Sequence, residues 1–373
     1  MNIFYRMIDL IWGHPINPRK RMRTFKGIFL LVLLSSISHI SAQDIHFTQF
    51  YNTPLNINPA LTGVFGGDTR FLAGYRSQWT SVPVDYRTFV VSVDHKFYGK
   101  QASPGFFSGG LSFNFDQSGY SRLTYLNLGL HGSYTRKLTQ HFYTTVGVQG
   151  SAVQRQFDLD DLTFDNFFDP DVGQADPSLG SGENFLDNNA NNFFDFSAGI
   201  NFRLQALSNA ALVDRLEKRS SIDFGVGLFH LNRPNQSFVE DAESPLSIRV
   251  SPYFAGVLQL GPIVDLIGVM AVQFQRPYDQ YLAGAGARVY LNRSLGKQIA
   301  IQGGVNVRFH QIADSYSPTI QLHYNNWRFG FSYDVNVSEF QVATDNRSGP
   351  EFTLRYIIRR VKPLPTFKIC PLI

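Results

Sequence analysis

Trp327-Arg328-Phe329-Gly330-Phe331-Ser332-Tyr333-Asp334-Val335-Asn336-Val337 decides how this chain folds. Large apolar residues take every odd position, and Arg, Gly, Ser, Asp and Asn take every even one. This is period two, the repeat of a β-strand whose two faces meet unlike surroundings. Strands of globular proteins usually stop after about 5–6 residues. A tilted strand that crosses a bilayer needs about 9–11, and this one is long enough.

The alternation recurs along the chain. Ile222, Phe224, Val226 and Leu228 alternate with Ser221, Asp223, Gly225 and Gly227. Ile299, Ile301, Val305, Val307 and Phe309 oppose Gln298, Gln302, Asn306 and Arg308, and Phe196, Ala198, Ile200 and Phe202 oppose Asp195, Ser197, Asn201 and Arg203. Fourteen candidate strands result: 69–79, 86–97, 106–116, 123–136, 141–157, 193–204, 221–231, 246–260, 264–275, 280–291, 298–309, 316–325, 327–338 and 349–358. No segment keeps a helical period. The polar faces carry Arg and Asp, which the dry core of a soluble sandwich cannot bury unpaired. A closed barrel with lipid outside and a hydrogen-bonded lumen accommodates them and leaves no unpaired edge. The expected fold is all-β: a transmembrane antiparallel β-barrel of outer-membrane type, about 14 strands, over 66–358.

Composition agrees. Of 373 residues 43% are hydrophobic, 14% aromatic and only 17% charged, against about 25% charged in ordinary soluble domains. One Cys excludes a disulfide framework and a Cys-based zinc site. A mean hydropathy of −0.13 is too low for a helical membrane bundle.

Arg19, Lys20, Arg21, Arg23 and Lys26 precede the apolar run Gly27–Ile40, and Ser41-Ala42 follow. Basic, greasy, then small is the order of a secretory signal peptide cleaved after Ala42, with Met1 or Met22 as the start. The apolar run is shorter than the ~20 residues of a spanning helix. Residues 1–42 hold six of the 33 Lys/Arg and one of the 29 Asp/Glu, leaving 27 basic against 28 acidic residues. The sequence pI of 9.0 is thus partly a leader effect, and nucleic acid is not an expected partner.

Segment 43–65 is rich in aromatics, Pro and Asn and has no period; it is expected to plug the lumen or to lie on the periplasmic side. The tail 359–373 includes Arg359, Arg360, Lys362 and Cys370, has no acidic residue, and is held extended by its prolines. Such a tail suits docking on an acidic partner. An even strand count is expected to return both chain ends to the periplasm. Short turns then fall on that side, with one long exception at 205–220, and the long connections 158–192, 232–245 and 339–348 fall outside.

Loop 158–192 carries nine acidic residues and no Lys or Arg. Asp158, Asp160, Asp161 and Asp165 are candidate calcium ligands, although the loop lacks EF-hand spacing and solvation alone accounts for the charge. Otherwise no cofactor is expected. Phe164, Phe167, Phe168 and Phe185 suggest a loop that folds onto the barrel mouth or receives a partner. The histidines show no metal-binding spacing. A Ser/His hydrolase pair has only His230 and Ser237 to draw on, so the chain is not expected to be an enzyme.

Several stretches resemble the PorP/SprF family of Bacteroidota outer-membrane proteins. They are Gln49-Phe50-Tyr51 with Asn58-Pro59-Ala60 and Gly63; Arg76-Ser77-Gln78-Trp79; Gly227 to Phe238, reading GLFHLNRPNQSF; Phe331 to Val335; and Gly349-Pro350-Glu351-Phe352 with Arg355-Tyr356. The resemblance implies a non-enzymatic component of the type IX secretion and gliding machinery. It would link the translocon or the periplasmic ring and motor proteins to secretion or surface retention of an exported adhesin-like client. A porin-like or hydrophobic-solute channel is the alternative. Besides outer-membrane lipid, the residues expected to meet partners are Phe50, Tyr51, Asn58, Pro59, Trp79, Phe167, Phe168, His230, Arg233, Pro234, Arg359, Arg360, Lys362 and Cys370.

Overall fold

The computed structural model describes residues 44–45, 47–78, 86–97, 105–159, 162–169, 174–175, 182, 184–186, 189–206, 219–276, 278–294, 297–309, 313–337 and 347–359. Fourteen antiparallel strands close into one barrel. In chain order they are β1 (Thr69–Gln78), β2 (Tyr86–Phe97), β3 (Gly105–Ser118), β4 (Leu123–Lys137), β5 (Phe142–Gln156), β6 (Ala190–Gln205) and β7 (Ser221–Phe229), followed by β8 (Arg249–Gln259), β9 (Val264–Gln275), β10 (Tyr278–Ser294), β11 (Lys297–Phe309), β12 (Ala313–Tyr324), β13 (Trp327–Asn336) and β14 (Arg347–Ile358). Each pairs with its neighbours in sequence, and β1 pairs with β14 from Thr69↔Ile358 to Arg76↔Glu351. Every strand is therefore paired on both sides, which bilayer hydrocarbon demands. No helix among the described residues is long and apolar enough to cross a membrane; the strands do the crossing. All fourteen expected strands form, with ends moved by at most three residues.

Period two fixes which face is wet. On β13, Trp327, Phe329 and Phe331 are exposed on the outer surface, whereas Ser332, Asp334 and Asn336 are buried inside. Outward aromatics gather near both rims: Trp327 lies 4.3 Å from Tyr356 between ring centres at one end, and Phe331 lies 5.1 Å from Phe352 toward the other. Such girdles suit the interfaces of a bilayer, where an amphipathic ring meets both lipid and water.

Connections differ sharply between the two rims. At the rim holding Thr69 and Ile358, called here the terminal mouth, β4–β5, β8–β9 and β12–β13 are joined by tight turns such as Asn325-Asn326. The long connections after β5, β7 and β13 lie at the opposite, far mouth, and one more, 206–220 between β6 and β7, falls at the terminal mouth. The expected signal peptide 1–42, Trp79, Asp160, Asp161, Arg360, Lys362 and Cys370 lie outside the described residues.

Candidate functional site

The lumen is occupied by the chain itself. Residues 47–65 make three single-turn 3-10 helices, Phe50–Asn52, Pro54–Asn56 and Pro59–Leu61. Pro54 and Pro59 each start a turn, where a missing N–H costs nothing. Asn58 caps the third turn, accepting from the Ala60 N–H at 2.8 Å, while its own amide donates to the Ile200 carbonyl on β6 at 2.9 Å. Phe50, Leu55, Ile57 and Ala60 are buried, and Phe50, Ile57 and Leu61 pack with Tyr253, Val269, Ala271 and Leu282 of the wall.

Glycines make room for it. A Cβ on Gly147 would stand 2.6 Å from the Ala60 backbone, and one on Gly227 would stand 2.3 Å from the Ile57 carbonyl. Close backbone approach, rather than turning, is the reason these strand positions lack side chains.

The wall's charges bind this segment in three groups. Glu351 accepts the Thr48 and Gln49 N–H groups at 2.8 Å each, and Asp334 accepts the Thr48 hydroxyl while pairing with Arg76 at 2.8 Å. Arg70 forks onto Asp94, donating at 2.9 and 2.8 Å; Asp94 also takes the Gly63 N–H, and Arg70 reaches the Leu61 carbonyl. Lys96 donates to the Phe65 carbonyl and lies over the Phe65 ring. At the far mouth, Asp44 stands 2.6 Å from His230 Nε2 and 3.0 Å from Arg249, and His230 Nδ1 lies 3.1 Å from Asp195.

That last group decides where Asp44 lies. His230 follows the end of β7, and Arg249 opens β8 opposite Phe229. Asp44 is thus at the far mouth and Arg359 at the terminal mouth. These are the first and last described residues; the chain ends, 1–43 and 360–373, lie outside the described residues. Strand parity fixes only Thr69 and Ile358, and the segment before β1 runs the length of the lumen.

Burial pulls the His230 imidazole toward neutrality, but the Asp44 carboxylate and the Asp195 oxygen outweigh this and raise it to about 9. His230 is therefore a cation at neutral pH. Asp44 sits well below the ordinary carboxylate range: burial would raise it, but His230 and Arg249 prevail. Both residues of the turn His230-Leu231-Asn232-Arg233 that flank its bend have positive φ, 59° at His230 and 44° at Arg233. Pro234 is buried and Arg233 exposed. His230 and Ser237 do not form a hydrolase pair. Both imidazole nitrogens face carboxylates, and the Ser237 hydroxyl bonds within its own loop at Val239.

Several residues expected to meet partners lie inside the lumen. Phe50, Asn58 and Pro59 are buried in the lumen, Asn58 and Pro59 against the wall and Phe50 beside the cavity described below. Tyr51 is half-buried and accepts from Gln321 at 3.0 Å. Among the lumen arginines, Arg76 and Arg308 meet Asp334, and Arg203 stands 3.9 Å from Asp223. Arg249 meets Asp44 instead, Asp195 meets His230, and Glu351 takes backbone amides.

Loop 158–192 folds onto its neighbour. Phe157 packs edge-on against Phe185 and Phe238, Phe164 against Phe167 and Phe185, and the Leu186 N–H donates to the Phe238 carbonyl at 2.8 Å. Phe168 remains exposed. Asp158 stands 3.9 Å from Arg122, Asp165 is exposed, and no three His, Cys, Asp or Glu among the described residues lie close enough to hold a metal.

Beside the segment, a cavity of about 380 Å³ opens toward the terminal mouth. Phe50, Leu61 and Val269 line one side, and Arg288, Arg328 and Arg355 the other.

The model of a family described as type IX secretion system membrane protein PorP/SprF matches residues 40–356. No curated protein matches the chain. Among solved structures, the chain is similar to BamA from Haemophilus ducreyi lacking POTRA domains 1–3, at 9% identity, TM-score 0.42, over 78% of this chain and 70% of that one. It is likewise similar to a mutant of the TodX monoaromatic hydrocarbon channel, at 9% identity, TM-score 0.43, over 82% and 92%. The translocator domain of the autotransporter NalP from Neisseria meningitidis follows at 9% identity, TM-score 0.30, over 82% and 94%.

Proposed function

Because the chain belongs to the PorP/SprF family of type IX secretion system membrane proteins, we infer that it is a plugged, non-enzymatic outer-membrane adaptor of that machinery. One observation carries the reading. The lumen wall spends its buried carboxylates and cations on the chain's own segment 44–65, which leaves a rigid platform rather than a water-filled pore. In this reading the terminal mouth faces the periplasm, in keeping with its short turns. The basic residues Arg359, Arg360 and Lys362 then leave the barrel where periplasmic ring, motor or translocon proteins dock. The far-mouth loops, with exposed Phe168 and Arg233, meet the exported adhesin-like client.

Two measurements test this. In planar bilayers the intact protein conducts poorly; a steady open pore overturns the plug and favours a channel. Removal of 359–373 lowers recovery of periplasmic partners from native membranes, and unchanged recovery rejects the docking role of the tail.

A further inference from the structure

We propose that the cavity at the terminal mouth is a receptor for an acidic, extended peptide segment of a partner protein. This deepens the docking reading above and rests on it for the partner's location.

The inference comes from a row of charges set by strand register. His323 on β12 lies opposite Arg328 on β13, and Arg328 lies opposite Arg355 on β14. All three line the cavity, with Arg288 on a neighbouring part of its wall. Like charges directly opposite one another in a sheet repel, and buried cations are ordinarily paired. Most other lumen cations follow that rule: Arg70 has Asp94, Arg76 has Asp334, and Arg219 and Arg288 share Asp265, while Lys96 and Arg155 meet a carbonyl and an amide oxygen. Among the described residues neither Arg328 nor Arg355 meets a carboxylate. Arg355 Nε and His323 Nε2 are buried without a hydrogen-bond partner, and the His323 side chain is 9% exposed. The one carboxylate lining the cavity, Asp223, is at ion-pair distance from Arg203.

Most other lumen cations have a carboxylate or a carbonyl to meet, and these adjacent donors are the group that the described residues leave to a ligand. Three adjacent strands about 4.8 Å apart spread them over roughly 10 Å. That is wide for a single phosphate and suits successive Asp or Glu side chains of an extended segment, which guanidinium forks recognise well. The apolar side formed by Phe50, Leu61 and Val269 would take the aliphatic parts. Arg359 lines the same cavity and adds a further cation to it.

The test uses the full mature chain folded in detergent and a fluorescent octaglutamate, with octaserine and inorganic phosphate as comparison probes. Octaglutamate binds and octaserine does not, and affinity falls as salt rises. The double variant R328Q/R355Q, in which a repulsive contact is removed, lowers affinity at least tenfold. A300E gives a second handle: Ala300 faces His323 across β11–β12 and lines the cavity, so an internal carboxylate there also abolishes binding. Ending the chain after Ile358 weakens affinity only a few-fold. Unchanged binding in R328Q/R355Q and A300E, binding lost only with the tail, or equal competition by inorganic phosphate each overturns the proposal. A barrel that ignores octaglutamate yet still recovers periplasmic partners sinks this inference and leaves the docking reading standing. Lost recovery with peptide binding intact does the reverse.

Discussion

At the residue scale, the Asp44–His230–Arg249 group is the most exacting feature. Two cations converge on one carboxylate at 2.6 and 3.0 Å, with Asp195 behind the imidazole. Asp44→Asn leaves His230 and Arg249 without their shared counter-charge, and breaking a buried pair from one side costs about 3–5 kcal/mol. Thermal unfolding in detergent, followed by heat-modifiable mobility, should shift down accordingly. The pH dependence follows from His230 being raised to about 9 from an ordinary 6.5. A raised folded value means the stabilisation is complete below about pH 6.5, declines above it and is gone once pH passes 9. The depressed Asp44 works at the other end: its contribution is present above the ordinary carboxylate value and is lost on acidification. Wild type should lose stability from pH 7 to 9.5, and His230→Asn should flatten that slope. An unchanged slope in the variant would refute the assignment.

At the element scale, 44–65 acts as one unit because each of its turns is anchored to a different part of the wall. Glu351 holds its start, Asn58 grips β6, and Asp94 with Lys96 holds its end. Gly147→Val tests this packing. Its Cβ falls at 2.6 Å from Ala60 backbone, which has no flexible end to swing away, and overpacking of this kind costs about 1–3 kcal/mol. Limited proteolysis should then cut within 44–65 while the barrel, with its own hydrogen-bond ladders, stays folded. Deleting 44–65 should convert a poorly conducting protein into a steady pore. At the far mouth, Phe238→Ala removes the ring that touches Phe157 and lies 5.6 Å from the Arg155 guanidinium. Loop 158–192 should become more sensitive to protease with barrel stability unchanged.

At the scale of the whole molecule, the barrel has two unlike mouths. One carries most of the tight turns, the cation row and Arg359; the other carries the long aromatic and acidic loops and Asp44. Orientation in the membrane is therefore a single yes-or-no property. A biotin acceptor inserted at Asp241, in the exposed far-mouth loop, should be reachable from outside intact cells, and one at Gly261, in the β8–β9 turn, should not. The opposite pattern inverts the orientation and moves the proposed partners to the wrong sides.

What the sequence determined by itself is the wall. Period two is local, each side chain reporting which of two solvents its own face meets, so Trp327 to Asn336 announces both strand and lipid face without reference to any other residue. Repeated fourteen times, it fixed the strands within three residues and implied closure, since an open edge has no stable place in hydrocarbon. The contents of the lumen were decided only by tertiary structure. Nothing near Asp44 points to His230, 186 positions away, and no pattern within 47–65 says that Asn58 must meet Ile200. A segment without a period carries no record of its own surroundings; only the register of the closed barrel, which brings Glu351, Asp94 and Asn201 to face inward at set heights, selects where each of its turns can rest.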